Sequence, residues 1–418
     1  MHIVGARPNF MKIAPIVKAI EEYNQTHPSH LDQIIVHTGQ HYDENMSELF
    51  FDHLGLPKPD INLEVGSASH AVQTAEIMIR FEKVLLQYQP DAIIVVGDVN
   101  STIACTLVAS KIEYPTQPNE PYKPNEPNKR NKPLIVHVEA GLRSFDRTMP
   151  EEINRILTDQ LSDLLFTTEE DANENLKREG IPSEKIFFVG NVMIDTLFQH
   201  LEKAKKSKIL QKLGLINSIN AKNAITSYAV LTLHRPSNVD NKETFSNILE
   251  ALKEISKRIP IIFPAHPRTQ NRIKQFGFEN YFNFLEPINS INSENPINSI
   301  NATNPMNAIN LINPLGYLDF LWLMANAKLV LTDSGGIQEE TTVLGIPCVT
   351  IRKNTERPIT VKMGTNIVAG TQKENIINAA LSQLNRHNNI SNPIPPLWDG
   401  KAAKRIVKIL VKKLSTSS

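Results

Sequence analysis

The sequence predicts an α/β protein built from two Rossmann-like, doubly wound domains, and three observations carry that reading. Short apolar runs rich in Val and Ile alternate with amphipathic segments along nearly the whole chain, as expected of buried parallel strands separated by helices. The chain has 418 residues, more than one core ordinarily holds. The rhythm also comes as two series, with a seam near Gly190.

In the first series the strand-like runs are "MHIV", "QIIVHTG", "AIIVVGD", "LIVHVEAG" and "LLFTTE". The second contains "KIFFVGN", "YAVLTLH", "PIIFPAH", "KLVLTDSGG" and "IPCVTIR". Helical patterns such as "NFMKIAPIVKAIEEY" fall between them. After the run at 134–140, Pro150 suits a first helical turn, and Ile153, Ile156 and Leu157 recur at helical spacing. Glu151 and Arg155 then share a face roughly opposite Ile153, Ile156, Leu157, Leu161 and Leu164. The last amphipathic helix, 400–415, presents Ile406, Val407, Ile409, Leu410 and Leu414, and its docking site stays open at this level.

Two segments break the rhythm. Residues 114–133 are rich in Pro, Asn and Lys, and 288–313 form an Asn-rich imperfect repeat around N-S-I-N. Both lack helical periodicity, so both are expected to be exposed loop expansions that the fold can lose. The isoleucines of the second give it some capacity to order against the body.

Composition removes several function classes. Lys plus Arg is 44 and Asp plus Glu is 44, so net charge does not drive capture of nucleic acid or of an acidic membrane. Cys105 and Cys348 sit among apolar or small residues and read as buried hydrophobes, with no C-x-x-C spacing for zinc. There is no apolar run of membrane-spanning length, and the chain opens on a strand pattern, which predicts a cytoplasmic protein. G-x-G-x-x-G, a Walker loop and H-E-x-x-H are all missing.

In parallel sheets, ligands bind beyond the carboxyl ends of the strands. Here strand after strand ends in polar residues. Arg7 and Lys12 follow the first run, Asp98 the "AIIVV" run, and Glu139 and Arg143 the "LIVHV" run. In the second series His234 follows "VLTL", His266 follows "IIFPA", and Ser334, Gly335 and Gly336 follow "VLTD". Free N–H groups at the helix start after Ser334 would face an anion, and Arg357 in "NTERP" adds a planar cation suited to phosphate. Taken singly, each has a structural alternative: Ser334 as a helix cap, Asp98 as a turn cap, Glu151 and Arg155 as an i, i+4 pair, His234 as a structural histidine. Taken together, carboxylates and a histidine near a phosphate site suit proton transfer on a nucleotide-bearing substrate.

The stretches "GARPNFMKIAPI", "TGQHYDENM", "GDVNST", "HVEAGLRSFDRTMPEEINRILTD", "VGNVMIDTL", "LTLHRPSNVD", "LTDSGGIQEE" and "TERP" resemble the non-hydrolysing UDP-N-acetylglucosamine 2-epimerases, archaeal members most of all. The resemblance spans nearly the whole chain outside the two expansions. It implies a GT-B arrangement with the site in the interdomain cleft. An N-terminal domain 1–189 is joined by the C-terminal helix, and a UDP-binding domain covers 190–395. It also implies a reaction: loss of the C2 proton and of UDP to give a 2-acetamidoglucal, then re-addition to give UDP-N-acetylmannosamine. That activity would feed surface glycan or glycoprotein sugar synthesis.

No redox cofactor or metal is implied, and a homodimer is expected. By the same resemblance Asp98, Glu139, Glu151 and His234 are the catalytic set. Arg7, Lys12, His41, Arg143, Arg155 and His266 belong to the substrate contacts, and Ser334, Gly335, Gly336, Glu340 and Arg357 to the UDP contacts. The chain departs from the family pattern at Asn9, at Pro236-Ser237, at Ile359 and in "NPIPPLWDG", which leaves room for a modified sugar such as a uronic acid derivative. The rival functions are a hydrolysing 2-epimerase, a GT-B glycosyltransferase and a nucleotide-sugar sensor. Whether UDP-sugar or free sugar accumulates separates the first from the epimerase, and exchange of the C2 hydrogen separates the other two.

Overall fold

A computed structural model describes residues 1–39, 55–115, 131–217, 224–285, 309–385 and 393–415. The chain divides into two units, Met1–Phe198 with Pro396–Ser418, and Gln199–Pro395.

Unit 1 contains one seven-stranded sheet made of β1 (His2–Val4), β2 (Ile35–His37), β3 (Ile61–Asn62), β4 (Ala92–Val96), β5 (Leu134–Ala140), β6 (Leu164–Thr167) and β7 (Ile186–Phe188). Every pair is parallel, in the order β3-β2-β1-β4-β5-β6-β7. The chain therefore starts at the centre, winds outward to β3, and returns to wind the other way from β4. The reversal point lies between β1 and β4. The helices are α1 (Arg7–Thr26), α2 (His70–Tyr88), α3 (Asn100–Lys111), α4 (Pro150–Leu161), α5 (Glu170–Arg178) and α6 (Val192–Ala204). One face of the sheet, with Ile3, Val36, Ile93, Val95 and Ile135, packs on Ile77, Phe81 and Leu85 of α2, spaced four residues apart.

Unit 2 repeats the plan. The short strands β8 (Ile216–Asn217) and β9 (Ala224–Ile225) pair antiparallel by themselves. The parallel sheet is β10 (Ala229–Thr232), β11 (Ile261–Pro264), β12 (Phe282–Phe284), β13 (Ile309–Ile312), β14 (Leu329–Thr332), β15 (Cys348–Thr350) and β16 (Asn366–Val368). Its order is β12-β13-β11-β10-β14-β15-β16, with the reversal between β10 and β14. The helices are α7 (Ile209–Lys212), α8 (Pro236–Val239), α9 (Lys242–Ser256), α10 (Pro267–Phe276), α11 (Tyr317–Ala325), α12 (Gly335–Leu344), α13 (Ile359–Lys362) and α14 (Lys373–Leu384). Leu231, Phe263, Leu311 and Leu331 of the sheet pack against Phe245, Ile248 and Leu252 of α9.

The chain ends in α15 (Ala402–Ser415), which belongs to unit 1 and packs on α1. It buries Ala402, Ala403, Ile406, Val407 and Leu410. Its first N–H groups, of Ala402 and Ala403, donate to the Asp195 carboxylate at 3.1 and 2.7 Å. Burial still pushes Asp195 up to about 6, against those two donors. Among the described residues no helix is long and apolar enough to cross a membrane.

Four expectations change. The division falls inside α6, between Phe198 and Gln199, a little beyond the seam expected near Gly190. Of the expansion at 288–313, Ile309–Ile312 is not a loop: it forms β13, wholly buried between β11 and β12. The expansion at 114–133 is tied down at both ends. Buried Tyr114 donates its hydroxyl to the Pro90 carbonyl at 2.8 Å, and its N–H donates to the Asn131 carbonyl at 2.6 Å. Residues 116–130 and 286–308 lie outside those described. Helix α4 is turned inside out relative to its apolar pattern. Glu152, Arg155, Thr158 and Asp159 are its buried residues, while Ile153 and Leu157 are 40% and 45% exposed. Charge can occupy the inner face because each charged group there has an opposite partner.

Candidate active site

In unit 1 the polar residues converge where the winding reverses. After β1 the chain turns through Gly5 and Ala6 into α1. The Asn9 side chain accepts from the N–H groups of Gly5 (3.1 Å) and Ala6 (3.0 Å) and donates to the Val96 carbonyl at 2.9 Å. Asn9 thus ties the β1 turn to the end of β4. One helical turn further, Lys12 Nζ donates to Glu139 Oε1 at 2.7 Å, with both side chains buried. Its path crosses Gly97, where a Cβ would stand 2.7 Å from Nζ, and the same residue has φ +66°. Only glycine meets both demands cheaply.

Glu139 itself has φ +73°, at a register shift between β5 and β6. A non-glycine residue in that region is a mark of a constrained position. Asp98 receives a hydrogen bond from Arg155, whose other terminal nitrogen donates to Glu152. Glu152 in turn accepts from the Ser144 N–H (3.0 Å), the Ser144 hydroxyl (2.9 Å) and the Phe145 N–H (2.9 Å). That buried carboxylate fixes the loop between β5 and α4. Glu151, next to it, is half-buried and makes no hydrogen bond or ion pair with the described residues.

Of the unit 1 expectations, Lys12, Asp98, Glu139, Glu151 and Arg155 lie on strand ends or the helix starts that follow. Arg143 does not join them. Its guanidinium is buried, bound to Glu179 at 2.8 and 2.6 Å, to Asp159 at 2.7 Å and to its neighbour's carbonyl. Burial works against its charge, and those two carboxylates outweigh burial and hold the charged form. The correction is that Arg143 is an internal tie between β5 and α5. Arg7 opens α1, and His41 lies outside the described residues.

Unit 2 gathers a different set at its own reversal point. Asp333 ends β14 and is fully buried. Its carboxylate accepts from the N–H groups of His234 (3.0 Å) and Arg235 (2.9 Å) and from Asn238 Nδ2 (3.2 Å). The half-exposed His234 ring places Nδ1 3.0 Å from the same carboxylate. Burial would raise Asp333, but the imidazole and the backbone donors outweigh it and hold the group below its ordinary range. The next residues start α12. Ser334 is the N-cap residue but makes no side-chain capping bond, so the structural alternative for its hydroxyl fails. A Cβ on Gly335 would stand 2.5 Å from the Arg357 guanidinium and 2.9 Å from Glu356 Oε1. The glycine therefore admits Arg357 against the helix start.

Arg357 is itself oriented by Glu339 and Glu356, each at 2.7 Å, and Arg352 reaches Glu356 at 2.8 Å. Glu340 accepts from the Tyr317 hydroxyl at 2.9 Å. His266 is the exposed N-cap of α10, accepting from the Arg268 N–H at 3.2 Å. Sequence reasoning passed over Glu152, Tyr317, Glu339 and Glu356. The doublets "PEE" and "QEE" and the "ER" before Pro358 were the available signal. Among the described residues no cluster of three or more His, Cys, Asp or Glu could hold a metal.

Two doubly wound parallel sheets, each with charged residues gathered where its winding reverses, define a Rossmann-type α/β protein. Comparison with known proteins narrows the class. The profile of the family described as UDP-N-acetylglucosamine 2-epimerase matches residues 24–117 and 129–411. A UDP-N-acetylglucosamine 2-epimerase of Methanocaldococcus jannaschii is 44% identical over 410 residues, covering 98% of this chain and 97% of the relative. A UDP-2,3-diacetamido-2,3-dideoxy-D-glucuronate 2-epimerase of Pseudomonas aeruginosa is 38% identical, covering 98% of each. The crystal structure of the M. jannaschii enzyme in complex with UDP-GlcNAc and UDP is similar at a TM-score of 0.79 and 42% identity, over 98% of this chain and 99% of that one. The chain belongs to the UDP-N-acetylglucosamine 2-epimerase family, and it is an isomerase.

Proposed function

We propose that the protein interconverts UDP-N-acetylglucosamine and UDP-N-acetylmannosamine by elimination and re-addition of UDP. The C1–O bond breaks and its electron pair leaves with UDP. The C2–H pair then forms the C1–C2 double bond of a 2-acetamidoglucal, and the proton goes to a carboxylate. Return of a proton to C2 on the opposite face, with UDP rejoining C1, gives the epimer. The cation-like sugar needs negative charge nearby, and the departing diphosphate needs positive charge. Asp98, Glu139 and Glu151 supply the first, and His234 completes the catalytic set in this reading. Ser334, Gly335, Gly336 and Arg357 supply the second, and Glu340 accepts from the ribose hydroxyls. Lys12, Arg155, Arg7, His41 and His266 are substrate contacts in this reading.

The observation that carries it is the gathering of Asp98, Lys12 and Glu139 around Gly97 at the reversal point of unit 1. Asp98→Asn, Glu139→Gln and Glu151→Gln should each cut turnover at least about a hundredfold. UDP affinity by calorimetry should stay near wild type. Near-normal turnover in all three would remove the assignment. The diacetamido-uronate relative favours a second substrate, and turnover of the two UDP-sugars side by side decides between them.

The protein is read as cytoplasmic and as a homodimer. Val72, Ile79 and Leu86 form an exposed apolar row on α2 at seven-residue spacing, a seam suited to a second copy of the same helix. Sedimentation should give a dimer, and Ile79→Glu a monomer.

A further inference from the structure

Behind the strand ends of unit 1 lies a buried ionic pair that the reaction as described does not use. His137, on β5, and Asp159, on α4, are both fully buried. His137 Nδ1 lies 2.6 Å from Asp159 Oδ1, and His137 Nε2 lies 2.8 Å from the Gly97 carbonyl oxygen. A backbone carbonyl can only accept, so Nε2 carries hydrogen. The contact at Nδ1 needs one more proton, on the ring or on the acid. Asp159 Oδ2 already accepts from the Gly141 N–H at 3.1 Å and from Arg143 at 2.7 Å, and two donors on one oxygen favour the anion. Burial would raise Asp159, but the ring and Arg143 outweigh it and hold the acid below its ordinary range.

We propose that His137 is an imidazolium whose two N–H groups, together with Asp159, fix the backbone on either side of the reacting carboxylates. Gly97 immediately precedes Asp98, and its carbonyl is held by the ring. Gly141 lies two residues after Glu139, and its N–H is held by Asp159. The Gly97 N–H also donates to the Val138 carbonyl at 3.1 Å, locking the two strand ends to each other. Both glycines have positive φ, +66° and +80°, and Glu139 has φ +73°, so these turns need outside restraint to keep one geometry. His137 and Asp159 are positioning residues, and the inference rests on the reading of Asp98 and Glu139 as the groups that act on the sugar.

The test has a spectroscopic arm and a kinetic arm, both on the full chain. With histidine ring nitrogens labelled, the signals that vanish in His137→Gln belong to His137. In wild type both its nitrogens should show bonded hydrogen. In Asp159→Asn the amide can donate to Nδ1, so one ring nitrogen should lose its hydrogen while the Gly97 contact survives. In the kinetic arm His137→Gln should lose about a hundredfold in turnover, the scale of a misplacement of about an ångström. UDP affinity should be kept. In that variant one amide NH2 replaces two ring N–H groups, so either the Gly97 carbonyl or the Asp159 carboxylate is left facing the glutamine oxygen.

The double variant His137→Gln with Asp159→Asn restores a donor–acceptor match, so it should recover roughly tenfold over His137→Gln alone. A wild-type ring with one bare nitrogen overturns the imidazolium, and His137→Gln at full turnover overturns the positioning role. The Asp98→Asn and Glu139→Gln variants separate the two failures. If they keep turnover, the catalytic reading falls while the ring signal stands. If they lose it and His137→Gln does not, only the present inference falls.

Discussion

The two reversal points share a topology and differ in the sign of what they present. In unit 1 the strand ends carry acids, and each acid comes with a cation that holds it: Glu139 with Lys12, Asp98 with Arg155. In unit 2 the acid that follows β14, Asp333, is turned inward to grip the His234–Asn238 turn. Beside it stand the start of α12, the Ser334 hydroxyl and the buried Arg357, itself paired with Glu339 and Glu356. The same scaffold thus holds its carboxylates in two ways, paired with a cation at the strand end in unit 1 and spent on backbone donors in unit 2.

The largest effect should come from the framework of the unit 1 acids. Glu152→Ala removes one member of a buried pair with Arg155 and frees the loop through Ser144 and Phe145. It should cost about 3–5 kcal/mol in urea unfolding. A loss under about 1 kcal/mol would break the claim that charge forms the inner face of α4.

Next is a contrast between buried acids. Asp333 is held low, so its contribution to stability is present above the usual carboxylate range and fades as pH falls through its folded value. Asp195, raised to about 6, behaves oppositely. Its protonated form favours folding, so that stability is full below about pH 4 and is lost as pH rises through about 6. Relative to Asp195→Asn, which cannot ionise, wild type should lose up to about 3 kcal/mol between about pH 4 and about pH 7. A pH-independent difference between the two would contradict it.

Arg357→Ala tests the unit 2 side. It should weaken UDP binding by about 2 kcal/mol, as for loss of a charge-assisted contact. It also leaves Glu339 and Glu356 without that cation, so calorimetry should be paired with a melting curve. The smallest effect is expected at Leu157→Ala, within about 0.5 kcal/mol, because that side chain points outward.

The long apolar strands and the helix starts after them were legible in the sequence, since burial on both faces leaves a continuous Val and Ile run. Helix α4 was misread because its apolar spacing is real, but it marks the outer face. Pairing among Glu152, Arg155, Asp159 and their neighbours is invisible to a pattern that counts only hydrophobes. Strand β13 hid because "INLI" continues an Asn–Ile repeat without a break. Asp98, Glu139 and His234 could be found as strand-end residues. That Arg143 is spent on Asp159 and Glu179 could not, because those partners lie 16 and 36 residues away in sequence and meet it only in the folded unit.

The central claim is that the acids of unit 1 move the C2 proton of a UDP-sugar. A proton NMR time course of the purified protein with UDP-N-acetylglucosamine in heavy water tests it most directly. The account predicts UDP-N-acetylmannosamine with deuterium at C2, because the proton taken from one face is replaced on the other by a group that has exchanged with solvent. Product that keeps its C2 hydrogen throughout would contradict it.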